Sequence, residues 1–481
     1  MISKISYGLL FTTIVYATAC KVPKQLTLPE RSTIPEQFAH NKSLGNTIDS
    51  LLSLQQFYKD AHLQKLIENA FQENFDIKSA MQRLMVANAE WKVSKGLWFP
   101  SVNFGVNGSA TKFGKYTMEG VGNFDTNLSP NIEADQRIKT NPVPNYLLGF
   151  GLQWELDLWG KFKNLRKAGK ERFLATEEAR KMVIATVATT VAQQYYQLIA
   201  LDQELRIFEE NSLLLDKALE IIKIQKEVGR ATELAVKQFE AQVLNTEAEK
   251  ELVRQQIIAV ENQIKILIGQ YDTKIERSKS IKISEIAQIA DFVLPHTILL
   301  KRPDVQSAYH ELEASKANAI AVRASFFPSL TLGGNMGMNA FAGKVLFNPA
   351  SFAWSALGGL TAPIWQKNQL RSQYNVATAQ QLDAFYNYEK VAITAYNEVS
   401  TLLYQIQSYD KIYQLKSEEV KALDNAIDVS NDLYVSGYAN YLEIIAAQKS
   451  KLDANIQRIE MLKEQAHCMI MLYKSVGGAW K

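Results

Sequence analysis

Cys20 is the residue whose chemistry the sequence indicates most directly. Before it, Lys4 is the only charge, the run up to residue 19 is mostly apolar, and the small residues Ala17–Thr18–Ala19 come last. A short charged start, an apolar run and small residues before a cleavage site are typical of a secretory signal. We therefore predict a signal peptide over residues 1–19 and a mature chain that begins at Cys20, whose sulfur carries a covalent lipid. The alternatives are an ordinary signal peptide, or an uncleaved anchor, that happens to contain a cysteine.

The other chemically reactive side chains are too sparse to indicate an enzyme or a metal centre. The 481 residues include five His and two Cys, and the sequence lacks GxSxG, HExxH, P-loop and paired-cysteine motifs. Cys468 is alone in the mature chain and lies in an apolar helical segment, so we expect a buried, inert thiol. The net charge of +3 argues against a strongly basic nucleic-acid binder. We expect no enzymatic activity, no cofactor besides the lipid, no metal and no nucleic-acid partner.

The elements that position these residues occur twice. A shift of 228 places residues 76–105 over 304–333 without a gap, and nine of the 30 positions are identical, including an FPS triplet. Each half then continues with a strand-like segment ending near a Trp, a helix, an isolated glycine (Gly229 or Gly437) and a further helix. The sequence therefore predicts an internal duplication.

The strand-like segments have the pattern of membrane strands. Residues 146–158 alternate strictly, with large apolar residues from Leu148 onward at even positions and glycine or polar residues at odd ones. Period-two alternation predicts a strand with one apolar face, and a tilted strand needs only ~9–11 residues to cross a bilayer. A half-buried sheet in a soluble protein would alternate equally well. The export signal makes us favour a membrane barrel, with polar outer loops over 108–145 and 336–351.

Four strands cannot close such a barrel. The smallest closed barrels have ~8 strands, and an open edge in lipid leaves backbone groups without hydrogen bonds. Several copies must therefore combine their strands, and three copies would supply twelve.

Long helices separate the strands. Residues 161–228 and 367–436 contain no proline and little glycine, the two residues most unfavourable inside a helix, so each stretch is predicted to be one helix. At 1.5 Å per residue, each helix is about 100 Å long. After Gly229 and Gly437 the chain returns as helices, so each half ends in a helical hairpin with a glycine at its tip.

These features together resemble the TolC-like outer-membrane efflux factors, and within them the NodT-type lipoprotein branch that serves tripartite efflux pumps. The resemblance covers essentially the whole chain. It is carried by the start at Cys20, WELDLWGK at 154–161, RPDV at 302–305, SFFPSLTL at 325–332, and the segment from Tyr434 through Gly437 to YLEIIAAQ.

The resemblance implies a mainly α fold with transmembrane β-strands. Three copies would form a 12-stranded outer-membrane β-barrel that continues as a 12-helix α-barrel through the periplasm, in a lipid-anchored, multi-pass protein. Residues 51–95 would stack end to end on 231–268, and residues 272–300 with the C-terminus would form an equatorial belt. The partners implied are outer-membrane lipid, a periplasmic adaptor that docks on the hairpin tips at Gly229 and Gly437, and an inner-membrane RND-type transporter. Drugs or small toxic compounds would leave passively.

The resemblance also implies a periplasmic gate near the second tip. The acidic position six residues after the tip glycine falls on Glu443, and the tyrosine three residues before it falls on Tyr434. The family's second acidic position falls on Ala446, and the matching position of the first repeat falls on Ala235. A double acidic ring is therefore not expected, although three Glu443 carboxylates at a narrow aperture would favour cations.

The expected divisions follow the duplication in chain order. They are a signal peptide (1–19), a lipidated extension (20–50), a helix (51–96), a strand pair with an outer loop (97–160), a hairpin (161–270), an equatorial linker (271–300), a helix (301–324), a strand pair (325–365), a hairpin (366–475) and a tail (476–481).

Two other functions remain open from the sequence. A TolC-like duct for type I protein secretion would have the same fold, although the predicted lipidated cysteine favours efflux. A periplasmic adaptor also contains a long hairpin, but it would have only one, together with a biotinyl-like β module and no duplicated FPS motif.

Overall fold

The computed structural model describes residues 22–35, 37–38, 53–287, 296–439 and 441–478, so Cys20 and its signal sequence lie outside the described residues. The helices of the first repeat are α1 (Leu54–Phe57), α2 (Ala61–Glu73), α3 (Phe75–Gly96), α4 (Met118–Thr126), α5 (Lys161–Glu227) and α6 (Glu233–Leu267). Those of the second are α7 (Pro303–Ala324), α8 (Gln369–Val435) and α9 (Tyr441–Ser475). The strands are β1 (Ser101–Thr111), β2 (Val143–Leu156), β3 (Ser329–Ala340) and β4 (Phe352–Thr361). In the predicted linker, Ile283–Glu285 and His296–Lys301 form short 3₁₀ helices.

The two repeats match closely in their helices. α5 and α8 each have 67 residues, α6 and α9 each have 35, and the second of each pair begins 208 positions after the first. The strands β1 and β3 begin 228 positions apart. The difference arises from the connection between β1 and β2, which is longer than the connection between β3 and β4.

Three of the predicted boundaries need correction. The loop predicted over 336–351 is shorter, because β3 continues to Ala340. The single helix predicted over 51–96 is three helices, because the chain is extended at Tyr58 and Asp60 and breaks again at Asn74. Asp60 and Asn74 both accept hydrogen bonds from backbone N–H groups of the next helix, so each break is a helix start. The loop predicted over 108–145 is shorter, since β1 reaches Thr111 and β2 begins at Val143, and it contains the helix α4.

The chain folds as two compact units, each assembled from three separate segments. The first comprises the described residues within Met1–Leu28, Ala87–Arg172 and Glu311–Ala384, and it contains the sheet. The second comprises Pro29–Val86, Phe173–His310 and Phe385–Lys481, and it contains both hairpin tips.

The sheet of the first unit is antiparallel with the order β1-β2-β3-β4. Its register brings apolar residues of all four strands onto one face: Phe104 lies opposite Phe150, which lies opposite Met336, which lies opposite Trp354. The other face carries mostly small or polar residues, among them the asparagines and most of the glycines of the strands.

The apolar face of the sheet is left exposed by the described part of the chain. Phe104 is 61% exposed and Trp354 is 73% exposed. The strands at the two edges, β1 and β4, have one neighbour each among the described strands. A sheet with an exposed apolar face and two open edges is unstable in water. Hydrocarbon would cover the apolar face, and further strand pairing would provide hydrogen bonds for the backbone groups at the edges. No helix among the described residues has the length and apolarity needed to span a membrane.

In the second unit, each return helix ends against the start of a shorter helix. The side-chain amide Nδ2 of Asn74, which precedes α3, donates to the carbonyl of Leu267, the last residue of α6 (2.9 Å). In the second repeat, Arg302 precedes α7 and its Nη1 donates to the carbonyl of Ser475, the last residue of α9 (3.4 Å). The contact at Asn74 joins the end of α6 to the start of α3, while the end-to-end stacking of 51–95 on 231–268 stays a prediction.

The arginine of the RPDV motif adds a charge network to the second contact. The side chain of Arg302 is only 8% exposed. It donates to both carboxylate oxygens of Asp304 (3.0 and 2.7 Å) and to Glu398 of α8 (2.8 Å). Burial opposes ionisation of Asp304, but the hydrogen bond from Arg302, the positive charge of Arg302 and backbone hydrogen bonds together outweigh it and hold the pKa of Asp304 below its ordinary value. Arg302 therefore joins α7, α8 and α9.

A second polar network fixes α2 against α5. Asp60 accepts hydrogen bonds from the hydroxyls of Tyr195 (2.6 Å) and Ser278 (2.8 Å). Burial again opposes ionisation, and these hydrogen bonds outweigh it, so the pKa of Asp60 is also lowered. Nearby, Phe57 stacks on Tyr473 of α9 with ring centroids 3.9 Å apart. Residues before α2, in the linker and near the C-terminus thus meet in this unit.

Candidate functional site at the hairpin tips

The first hairpin turn is built by backbone hydrogen bonds around Gly229. The N–H of Arg230 donates to the carbonyl of Gln225 (2.8 Å), and the N–H of Gly229 donates to that of Lys226 (3.0 Å). This pair of bonds requires a residue with positive φ after the helix end. Gly229 has φ +73°, a conformation that costs glycine no steric strain.

The second turn repeats this geometry. The N–H of Tyr438 donates to the carbonyl of Leu433 (2.8 Å), the N–H of Gly437 donates to that of Tyr434 (3.0 Å), and Gly437 has φ +78°. The structure thus has both predicted tip glycines at equivalent turns. Their part in binding a partner remains a prediction.

The first hairpin is held together by an apolar cluster and by ion pairs. The cluster contains Leu215 and Ile222 of α5 and Ala235, Val236 and Phe239 of α6. Across the same hairpin, Lys226 pairs with Glu233, and Lys223 Nζ lies 3.6 Å from a carboxylate oxygen of Glu240. The hydrogen bond from Lys226 lowers the pKa of Glu233. Exposed pairs of this kind contribute little because water screens their charges, so the apolar cluster contributes most of the stability.

Ala235 is fully buried in that cluster. It occupies the position of the first repeat that corresponds to Glu443. A carboxylate could not be placed there without losing its hydration, and this explains why the first tip carries its acid at Glu233, on the surface. Ala446, the second acidic position of the resemblance, is exposed.

Two tyrosines connect the second hairpin to the first. The hydroxyl of Tyr434, at the end of α8, donates to the side-chain oxygen of Gln225 at the end of α5. The hydroxyl of Tyr441, at the start of α9, donates to Gln238 of α6 (2.8 Å). Tyr441 also packs against the apolar cluster, with its ring centroid 6.5 Å from that of Phe239. Tyr434 was predicted from the sequence, whereas Tyr441 and both glutamines were not.

Glu443 is placed differently from Tyr434. It lies in the first turn of α9 with its side chain exposed. Among the described residues, no ion pair or hydrogen bond engages its carboxylate. The tip therefore combines a tyrosine held by an uncharged neighbour with a carboxylate that is free to face another molecule.

The remaining sequence predictions concern the N-terminus and the second cysteine. The carbonyl of Pro23 accepts a hydrogen bond from Arg323 Nε (2.9 Å), and that of Lys24 accepts one from the hydroxyl of Tyr374 (2.6 Å). These bonds hold the chain that follows Cys20 against α7 and α8.

Cys468 is buried, and that burial raises the pKa of its thiol to about 11, as an inert thiol requires. Within the described residues, no three His, Cys, Asp or Glu side chains are grouped to hold a metal ion.

Comparison with known families gives one match over most of the chain. The family model described as outer membrane efflux protein matches residues 66–270 and 294–478. The solvent efflux pump outer membrane protein SrpC of Pseudomonas putida is 28% identical over 433 residues, which cover 90% of this chain and 88% of the relative. The cation efflux system protein CusC of Escherichia coli O6:H1 is 24% identical over 475 residues, which cover 98% of each protein.

Solved structures of outer-membrane channels have the same fold. A crystal structure of CusC superposes with a TM-score of 0.80 and 24% identity, covering 95% of this chain and 98% of that one. The outer-membrane channel OprN superposes with a TM-score of 0.81 and 22% identity, covering 94% and 99%. The four-stranded sheet and paired long helices described above are therefore the fold found in those structures.

Proposed function

The chain belongs to the outer membrane efflux protein family, and on that premise we propose that three copies form the exit duct of a tripartite efflux pump. The protein is an outer-membrane component of efflux. An inner-membrane transporter of the RND type supplies the energy, a periplasmic adaptor joins the transporter to the duct, and cargo leaves passively. Relatives named for solvent and cation efflux fit a cargo of small toxic compounds, including drugs.

The observation that carries the proposal is the sheet. Its apolar face is exposed on all four strands, and its two edge strands lack an outer neighbour among the described residues. Joining β4 of one copy to β1 of the next removes both edges, and three copies then give twelve strands around a lumen. The glycine- and asparagine-containing face lines that lumen, while the apolar face contacts lipid.

The hairpin tips are the proposed docking site for the adaptor. Both turns are closed by their own backbone hydrogen bonds, so they present fixed surfaces around Gly229 and Gly437. Covalent lipid at Cys20 anchors the same protein to the outer membrane.

Glu443 and Tyr434 form the proposed gate. The free carboxylate of Glu443 in each of three copies makes the periplasmic entrance favourable to cations. The bond from Tyr434 to Gln225 holds the second hairpin against the first, and this contact keeps the entrance narrow.

Planar-bilayer recordings of Glu443→Gln test the proposal. We expect cation-selective pores from the unaltered protein and a weaker cation preference from the variant. Glu418→Gln removes the same charge from an exposed position of α8 away from the tip and should leave selectivity unchanged. Equal selectivity in all three proteins would remove the gate role from Glu443. Absence of pores from the unaltered protein would overturn the duct.

A further inference from the structure

The outer loop between β1 and β2 contains a helix whose apolar side faces away from its own chain. Met118, Val121 and Phe124 recur at helical spacing on one side of α4, and Leu128 continues the line. They are between 58% and 89% exposed. We refer to these four residues as the α4 stripe.

Hydrogen bonds hold α4 in this orientation. Thr117 caps the helix by accepting from the N–H of Gly120 (3.1 Å) and donates to the carbonyl of Gly114 (2.9 Å). Just beyond the helix, the amide of Asn127 donates to the carbonyl of Ile138 (2.8 Å) and accepts from its N–H (2.9 Å). The loop therefore fixes the helix by its polar side and leaves the α4 stripe outward.

Close packing on the inner side adds to this constraint. A Cβ added at Gly120 would lie 2.0 Å from the carbonyl oxygen of Gly114, so the helix and the start of the loop are already in contact. The helix cannot turn over to bury the α4 stripe without losing this packing and the bonds of Thr117 and Asn127. An apolar surface held outward in this way indicates a partner.

The second outer loop, between β3 and β4, carries an unburied apolar residue of its own. Phe347 is 73% exposed. Because β1 and β3 are both antiparallel to β2, the two loops leave the sheet at the same end. Pairing of β2 with β3 places the two loops of one chain side by side, yet the α4 stripe and Phe347 are both exposed. The two loops of one chain therefore do not cover each other.

The strand order shows where a matching surface comes from. The loop with the α4 stripe follows edge strand β1, and the loop with Phe347 precedes edge strand β4. Closing the proposed ring brings β4 of one copy beside β1 of the next. This step also brings Phe347 of the first copy beside the α4 stripe of the second, in continuity with the strand pairing.

We propose that the α4 stripe packs against Phe347 of the neighbouring copy, giving the assembly an inter-subunit contact outside the membrane. The inference rests on the proposed ring of copies. It adds to that ring a heterologous contact: each copy offers its α4 stripe to one neighbour and its Phe347 to the other. Such a contact sets the order of neighbours around the ring and reinforces the seam between β4 and β1 where no lipid surrounds it.

Disulfide trapping tests this contact in the full-length protein in its membrane. The variant carrying both Phe124→Cys and Phe347→Cys should, after mild oxidation, run as linked dimers and trimers on a non-reducing gel and return to monomer on reduction. Each single variant should stay monomeric, because position 124 of one copy meets position 347 of another. A matched control, Thr126→Cys with Phe347→Cys, places the first thiol on the opposite side of α4 and should give little linkage.

The same samples separate this inference from the proposed duct. A native trimer with no linkage in the double variant would overturn the contact and leave the duct standing. Linkage by Phe124→Cys alone would also overturn it, because the α4 stripes would then meet one another. A monomer by native mass would overturn both. If a fluorophore on Phe124→Cys is quenched by spin-labelled lipid, lipid covers the α4 stripe and the contact is again overturned.

Discussion

Replacement of Arg302 by methionine tests the origin of stability in the second repeat. Arg302 is buried, and its side chain bonds Asp304, Glu398 and the last carbonyl of α9. Methionine keeps most of the length and removes the charge. Breaking a fully buried ion pair by removing one partner costs ~3–5 kcal/mol. The Asp304 and Glu398 side chains are 28% and 29% exposed, so water compensates part of their charge and we expect a loss near the lower end of that range.

The first repeat supplies the matched comparison. Asn74 occupies the position equivalent to Arg302 and bonds the equivalent carbonyl, that of Leu267, but it carries no charge. It also caps α3 by accepting from the N–H groups of Asp76 and Ile77. Asn74→Ala should therefore cost about 1–3 kcal/mol, the sum of a lost cap and a lost hydrogen bond.

Chemical denaturation of the detergent-purified protein, followed by far-ultraviolet circular dichroism, measures both losses. Arg302→Met should lower the free energy of unfolding more than Asn74→Ala does. Adding Asp304→Asn and Glu398→Gln to Arg302→Met should recover a substantial part of the loss, because no uncompensated charge then remains. A loss in Arg302→Met no larger than that in Asn74→Ala would refute the role of buried charge, and so would a failure of the two neutralised acids to recover any stability.

Three further outcomes are expected. The pKa values of Asp304 and Asp60 are lowered in the folded state. The stabilisation from their ionised carboxylates is therefore present above the unfolded pKa of 3.8 and is lost as the pH falls through the folded pKa. The free energy of unfolding, measured as a function of pH, should fall below about pH 4, and Asp60→Asn should make that fall smaller. On the sheet, Phe104→Arg should destabilise the folded protein by ~2–4 kcal/mol if this face contacts lipid, whereas Asn103→Arg on the other face should be tolerated. Equal yields of heat-resistant assembly from the two variants in outer-membrane fractions would contradict contact with lipid at Phe104. Cys20→Ser should abolish incorporation of labelled palmitate without preventing assembly, and unchanged labelling would exclude lipidation at that residue.

The long elements could be predicted from the sequence because their signals are local. Proline and glycine are unfavourable inside helices, so their scarcity marked α5 and α8, and Gly229 and Gly437 marked the turns. Strict alternation from Leu148 onward marked β2 and its apolar face. These signals depend on the chain's own backbone geometry and need no knowledge of neighbours.

The missed features depend on contacts between distant segments. Asn74 caps α3 locally, but its side chain also bonds a carbonyl 193 residues away, and no local pattern indicates that partner. Tyr441 was missed because its partners, Gln238 and Phe239, belong to the other repeat. The helix α4 contains three glycines or asparagines among nine residues, a composition typical of loops.

The measurement that tests the proposed duct most directly combines native mass and conductance on one detergent-purified sample. The chain mass is 54.2 kDa. We expect a particle of three chains that inserts into planar bilayers and forms cation-selective pores. A monomer that forms no pores would contradict the duct, because a single four-stranded sheet cannot enclose a channel.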